Sequence, residues 1–113
     1  MAELQQSADS VSQSRPVTWP SIGRANYCLV DRLLNTIVSV QLHEISLKTV
    51  SFLGPTGLPA GRRLMLEMTS PKRTVPLLAE VEVRSCTELN DSDWRVDCIW
   101  LKPITLDDML QFV

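Results

Sequence analysis

The stretch HEISLKTVSFLG, residues 43–54, sets an acid at Glu44, a hydroxyl at Ser46 and a second hydroxyl at Thr49, just before the apolar Val50 and Phe52. Spacings of two and three put these groups at the entry to a strand. There a carboxylate and a hydroxyl can hydrogen-bond the edge of a polar ligand, or can bond the turn's own backbone. Acid–base chemistry is less well served. His43 is the only histidine and adjoins Glu44, but neighbouring residues on a strand point to opposite faces. Ser46 has no base near it in sequence and no nucleophile-elbow pattern around it. No His or Cys pair has zinc-ligand spacing, and NDSD (90–93) lacks the spacing of a calcium loop. Glu80 and Glu82 alternate with apolar residues, as the solvated face of a strand does. These residues point to a domain that binds or scaffolds, not to an enzyme, and imply no metal or cofactor.

The scaffold that positions them is a single domain, because 113 residues are too few for two. A net charge of −2, with basic residues only singly or in pairs (Arg62 and Arg63, Lys72 and Arg73), gives no field for DNA, RNA or an anionic membrane. No apolar run approaches the ~20 residues needed to span a bilayer, and the first residues have neither the basic start nor the apolar stretch of a secretory signal. Cys28, Cys86 and Cys98 are odd in number and lack CxxC spacing, which implies reduced thiols in a cytoplasmic setting.

Residues 1–18 are rich in Ser, Gln, Ala and Asp, bury little, and read as a flexible polar tail ahead of a folded domain at 19–113. Trp19 sits among turn formers, where it can anchor that tail. From Tyr27 the period is two. YCLVDRLL reads as a first strand. In TIVSVQLHE, Val38, Val40 and Leu42 alternate with Ile37, Ser39 and Gln41. TVSFL (49–53) is a short strand closed by GPTGLPAG (54–61), which holds three of the four glycines and reads as a loop. RRLMLEMT, AEVEVRSC and WRVDCIWL each turn one apolar face inward: Leu64, Leu66 and Met68; Ala79, Val81 and Val83; Trp94, Val96, Cys98 and Trp100. In TLDDMLQFV the period changes. Leu106, Met109, Leu110 and Val113 fall on one helical face, and Thr105 with Asp108 forms a capping-box-like start. The expectation is a mainly β fold: a small six-stranded antiparallel barrel with a short C-terminal helix across an opening.

This order of elements resembles the PilZ domain, the bacterial cyclic di-GMP effector module, over roughly residues 24–113. The family carries an RxxxR segment in its N-terminal arm and a [DN]xSxxG turn at the start of a barrel strand. Arginine forks grip phosphate and guanine, while the short acid and serine bond ligand edges. Ser46 matches that turn. Glu44 stands where Asp or Asn is expected, and Thr49 stands where Gly is expected. The arginines lie at 15, 24, 32, 62, 63, 73, 84 and 95, no two of them four apart, so RxxxR is absent in strict form. The resemblance implies a signalling domain in cyclic di-GMP-related regulation that acts as a protein–protein adaptor and binds nucleotide weakly or not at all. Its alternative is a working cyclic di-GMP receptor built from Arg15, Arg24 or Arg32 with the Glu44–Ser46 turn and Thr49.

Overall fold

A computed structural model of the chain describes residues 17–30 and 37–113. The expected flexible tail therefore falls, except for Val17 and Thr18, outside the described residues. Within them the chain runs β1 (Trp19–Pro20), β2 (Arg24–Leu29), β3 (Val38–Ile45), β4 (Thr49–Gly54), β5 (Arg63–Thr69), β6 (Leu77–Glu88), β7 (Trp94–Trp100) and α1 (Leu106–Leu110). All pairings are antiparallel, in the order β3-β2-β5-β6-β7-β4, and β4 pairs back to β3. Six strands thus form a closed barrel, with β1 as a short outside strand and one short helix.

The first full strand lies earlier than its apolar run suggests. β2 begins at Arg24 and ends at Leu29, Val30 follows in a turn, and residues 31–34 of YCLVDRLL lie outside the described residues. Asn26 on this strand is half-buried and its carboxamide accepts from the Ser39 hydroxyl across the pair, so polar residues serve the ladder where apolar ones were sought.

Alternation builds the core. Leu64, Leu66 and Met68 of β5, Val81 and Val83 of β6, and Val96 and Cys98 of β7 are sealed from solvent. Tyr27 and Phe52 pack as tilted rings with centroids 5.5 Å apart. Two β-bulges shift the alternation, one between Leu42 and Glu44 of β3 and one between Val83 and Ser85 of β6. Each inserted residue reverses which parity points inward. In β3, Val40 and Leu42 are buried before His43, and Ile45 after it. In β6, Val83 gives way to Cys86, which packs against the core.

The C-terminal helix departs from its expected face. Thr105 does cap it, its hydroxyl accepting from the Asp108 amide at 3.0 Å. The helix nevertheless ends at Leu110, and Leu106 and Leu110 are about half exposed. Met109 is buried and Val113 packs against the core as the pattern expects, and Phe112 is sealed beside them. Gln111 closes the helix, and Phe112 follows in a turn that carries its ring into the core.

Phe112 docks at the break between β1 and β2. The Ile22 amide and the Ser21 hydroxyl both donate to the Phe112 carbonyl, at 2.9 and 2.7 Å. A Cβ on Gly23 would lie 2.8 Å from both the Phe112 ring and the Leu42 side chain. The β5–β6 loop clamps the other side. Arg73 donates to Asp108 at 3.1 Å and to the Gln111 carboxamide at 2.6 Å, and its guanidinium lies 5.8 Å from the Phe112 ring centre. The Ser70 hydroxyl donates to the Gln111 carbonyl, and the Lys72 ammonium to the Val113 carbonyl at 2.6 Å.

Gly23→Ala is expected to cost about 1–3 kcal/mol through overpacking and Phe112→Ala about 3–5 kcal/mol through cavity formation. The double variant should cost less than the sum, because the missing ring makes room for the methyl. Urea denaturation of the four proteins measures all three quantities, and strict additivity would contradict this packing.

Candidate functional site

The β3–β4 turn, Ser46 to Thr49, brings together two of the six residues singled out from sequence, Ser46 and Thr49. Its conformation follows from side chains that satisfy backbone groups. The Ser46 hydroxyl accepts from the Lys48 amide at 3.1 Å and the Thr49 amide at 2.9 Å, and shares a hydrogen bond with the Thr49 hydroxyl at 2.8 Å. The Ser46 amide donates to the Thr49 carbonyl at 2.8 Å. The Ser46 carbonyl accepts from the Trp100 indole N–H at 3.0 Å, a buried bond that ties the turn to β7. With 4% of its surface exposed, Ser46 is a buried polar residue whose hydrogen-bonding groups are engaged within the chain.

Glu44 is half-buried on β3, opposite Ser51 on β4 and Pro20 on β1. The bulge directs its amide to the Ser51 hydroxyl at 3.1 Å. Thr49 opens β4, so the position expected to hold a permissive glycine is a strand residue, which a β-branched side chain suits.

Among the described residues the arginines lie elsewhere. Arg24 is exposed at the start of β2, opposite Gln41 on β3 and Thr69 on β5. Gln41 precedes Ser46 by five residues, roughly 15 Å along an extended strand. Arg15 and Arg32 lie outside the described residues. Of the others, Arg73 is committed to the C-terminal clamp, Arg95 pairs with Asp97 at 3.2 Å and Arg84 with Glu82 at 3.8 Å. Arg62 and Arg63 border a separate hollow of about 610 Å3 with Val30 and Pro59–Gly61.

What surrounds the turn is apolar. Leu47 projects from its tip, about half exposed. It lines a groove of about 570 Å3 together with Val17, Trp19, Lys48, Leu106 and Leu110, with Ser46 and Met109 at the floor. A second hollow of about 530 Å3 continues past Leu47 and Lys48 along Ile99, Trp100, Pro103 and Ile104. Trp19 is held here by β1, where it pairs with Ile45. The helix supplies Leu106 and Leu110 because Met109 turns into the core and Asp108 turns to Arg73. The helical pattern marks Leu106 and Leu110 as apolar but assigns them to the interior. Leu47, a large apolar residue inside a polar turn, is the sequence signal for this surface.

Comparisons with protein-family models, with curated proteins and with solved structures give no match.

Among the described residues, no group of three or more His, Cys, Asp or Glu side chains could hold a metal ion, and no helix is long and apolar enough to cross a membrane. The cysteines are free thiols. Burial, then the charge of Asp97 and the neighbouring Cys86, pushes the Cys98 thiol from 9.0 up to about 12.

Two outcomes follow. Ser46→Ala should cost about 1–3 kcal/mol, because it leaves amides of the turn without an acceptor; a chemical melt unchanged within error would contradict the bonding described. Cys98 stays protonated in the fold while the unfolded chain ionises near pH 9. Its contribution to stability is thus complete below about pH 9 and falls as pH rises toward 12. Iodoacetamide at pH 8 should label Cys98 at least about tenfold more slowly than Cys28 in the native chain, a difference that urea abolishes.

Proposed function

We propose that this chain is a PilZ-like signalling domain in cyclic di-GMP-related bacterial regulation, acting in the cytoplasm as a protein–protein adaptor that binds nucleotide weakly or not at all. The carrying observation is the commitment of Ser46. The hydroxyl that would meet a ligand is buried and already bonded to Lys48, Thr49 and the Thr49 hydroxyl. A ligand would have to displace those bonds, at about 1–3 kcal/mol for each buried amide left unmade. The charge pattern adds support. One good charge-assisted contact is worth ~1.5–3 kcal/mol, and Arg24 sits on β2 opposite Gln41, strand-separated from Ser46. The apolar rim of the turn suits contact with protein in place of a bisphosphate.

The receptor reading has one observation on its side. Arg24 and Glu44 both lie on the outward side of β2 and β3, so they share a surface that a ligand could cross. Titration of cyclic di-GMP into the chain, followed through the amide signals of Arg24, Ser46 and Thr49 by NMR, decides between the two. No saturable shift up to about 1 mM is expected. Saturation in the micromolar range would establish the receptor. Thr49→Gly combined with Glu44→Asp should not create binding, because the substitutions supply no positive charge.

A further inference from the structure

We infer that residues 1–11 of this chain cover the apolar face around the Leu47–Lys48 turn, docking from the wall where the described chain begins. The inference goes beyond the adaptor reading: it gives the face a tethered occupant that any protein partner must displace.

Three observations favour this segment over another occupant. The first is where it is attached. Val17 is the first described residue, is 71% exposed, and lines the groove with Trp19, Leu47, Leu106 and Leu110. β1 fixes that exit, because Trp19 pairs with Ile45 of β3. The connection from Val11 to Val17 reaches roughly 20 Å when extended, so Val11 can return over the groove. A short tether confers an effective concentration on the order of 1 mM. A segment with an intrinsic Kd of about 0.1 mM is then docked about nine-tenths of the time. A free partner of the same intrinsic affinity at about 1 μM would fill the face only about one-hundredth of the time.

The second observation is pattern. Met1, Leu4, Ala8 and Val11 recur at spacings of three, four and three, which is one helical face, while Glu3, Gln6, Asp9 and Ser10 fall on the others. So few apolar side chains cannot form a core of their own. Gathered on one stripe, they are buried only against a surface that is already apolar, and the groove is such a surface. Pro16 disfavours helical backbone at Arg15 and leaves residues 12–16 as the connection to β1.

The third observation is charge. Lys48 is the only charged residue lining the groove. Residues 1–14 carry Glu3 and Asp9 and neither lysine nor arginine, so segment and groove are opposite in sign. Docking also strands none of the turn's polar groups. The Ser46 amide, carbonyl and hydroxyl are bonded within the chain, as are the Lys48 and Thr49 amides. A protein partner of this face would bind about tenfold more weakly for having to displace the segment.

NMR of the full chain tests the inference. Nuclear Overhauser contacts are expected from the Leu4 and Val11 methyls to the Trp19 ring and to the Leu47 and Leu106 methyls. They should be equal at about 50 and 500 μM, and absent between differently labelled copies in a mixed sample. In Leu4→Asp/Val11→Asp, a soluble gadolinium chelate should relax the Leu47 and Leu106 methyls at least about twofold faster, because the cover is lost. Unmoved Val81 and Val96 signals would show that the barrel of this variant is intact. Absence of the contacts, or methyl relaxation indifferent to the double substitution, would overturn the inference and leave the face to a foreign partner. Contacts found only between copies would overturn it in favour of a second chain.

Discussion

β3 closes the barrel, and the single residue inserted at His43 determines what it can close around. This strand pairs with β1 and β2 along one edge and with β4 along the other, so every error in its register would propagate through the sheet. Unbroken alternation from Leu42 would have placed Glu44 and Ser46 on the inner face together and turned Ile45 to solvent. The bulge reverses this. Ile45 is sealed in the core, Glu44 turns outward, and the chain leaves the strand at Ser46. The displaced Glu44 amide finds the Ser51 hydroxyl, which explains a buried polar residue in the middle of β4. The acid and the hydroxyl that look like a pair in sequence are thus separated in role.

The opposite fault line, between β1 and β2, is repaired by the C-terminus. Ser21–Gly23 interrupts the edge beside β3, and the gap is filled by Phe112 and stitched by its carbonyl. The sequence separation is 91 residues, so this break is filled by a contact distant in sequence. Arg73 makes that docking geometrically specific. It holds Asp108 and Gln111 with one nitrogen, the Val75 carbonyl with another, and lies near the Phe112 ring. One arginine that a ligand clamp could have used is spent on holding the domain shut. The cost of leaving such a half-buried charge unpaired is what keeps it there.

How much of this was legible in advance depended on whether the signal was local. The strands of Leu64–Met68, Ala79–Val83 and Trp94–Trp100 follow from period-two patterning, and the closed barrel follows from their number. Thr105 was legible as a cap because its partner lies three residues away. The bulges were not, because an extra residue is defined only by the partner strand it faces. The helix face failed for a related reason: Leu106, Met109 and Leu110 are equally apolar, and only contact with the barrel selects Met109 and Phe112 as the buried pair. Of the candidate site, the Ser46–Thr49 contact spans three residues and is local, but the bond from the Trp100 indole crosses 54 residues and leaves no local trace.

The turn's internal bonding also sets which kind of partner it can accept without reorganising. A polar ligand competing for Ser46 offers a net gain of about 0.5–1.5 kcal/mol per hydrogen bond, against about 1–3 kcal/mol for each buried amide it strands. The exchange is unfavourable before any loss of ligand freedom is counted. An apolar partner asks nothing of Ser46. It removes water from Leu47, Trp19, Leu106 and Leu110, at about 25 cal/mol per Å2, while the turn beneath stays as built. Rigidity that works against one ligand class therefore works for the other, because a pre-organised surface has less entropy to lose on contact. The bonding of Ser46 thus disfavours a competing polar ligand and leaves the apolar rim of the turn unchanged.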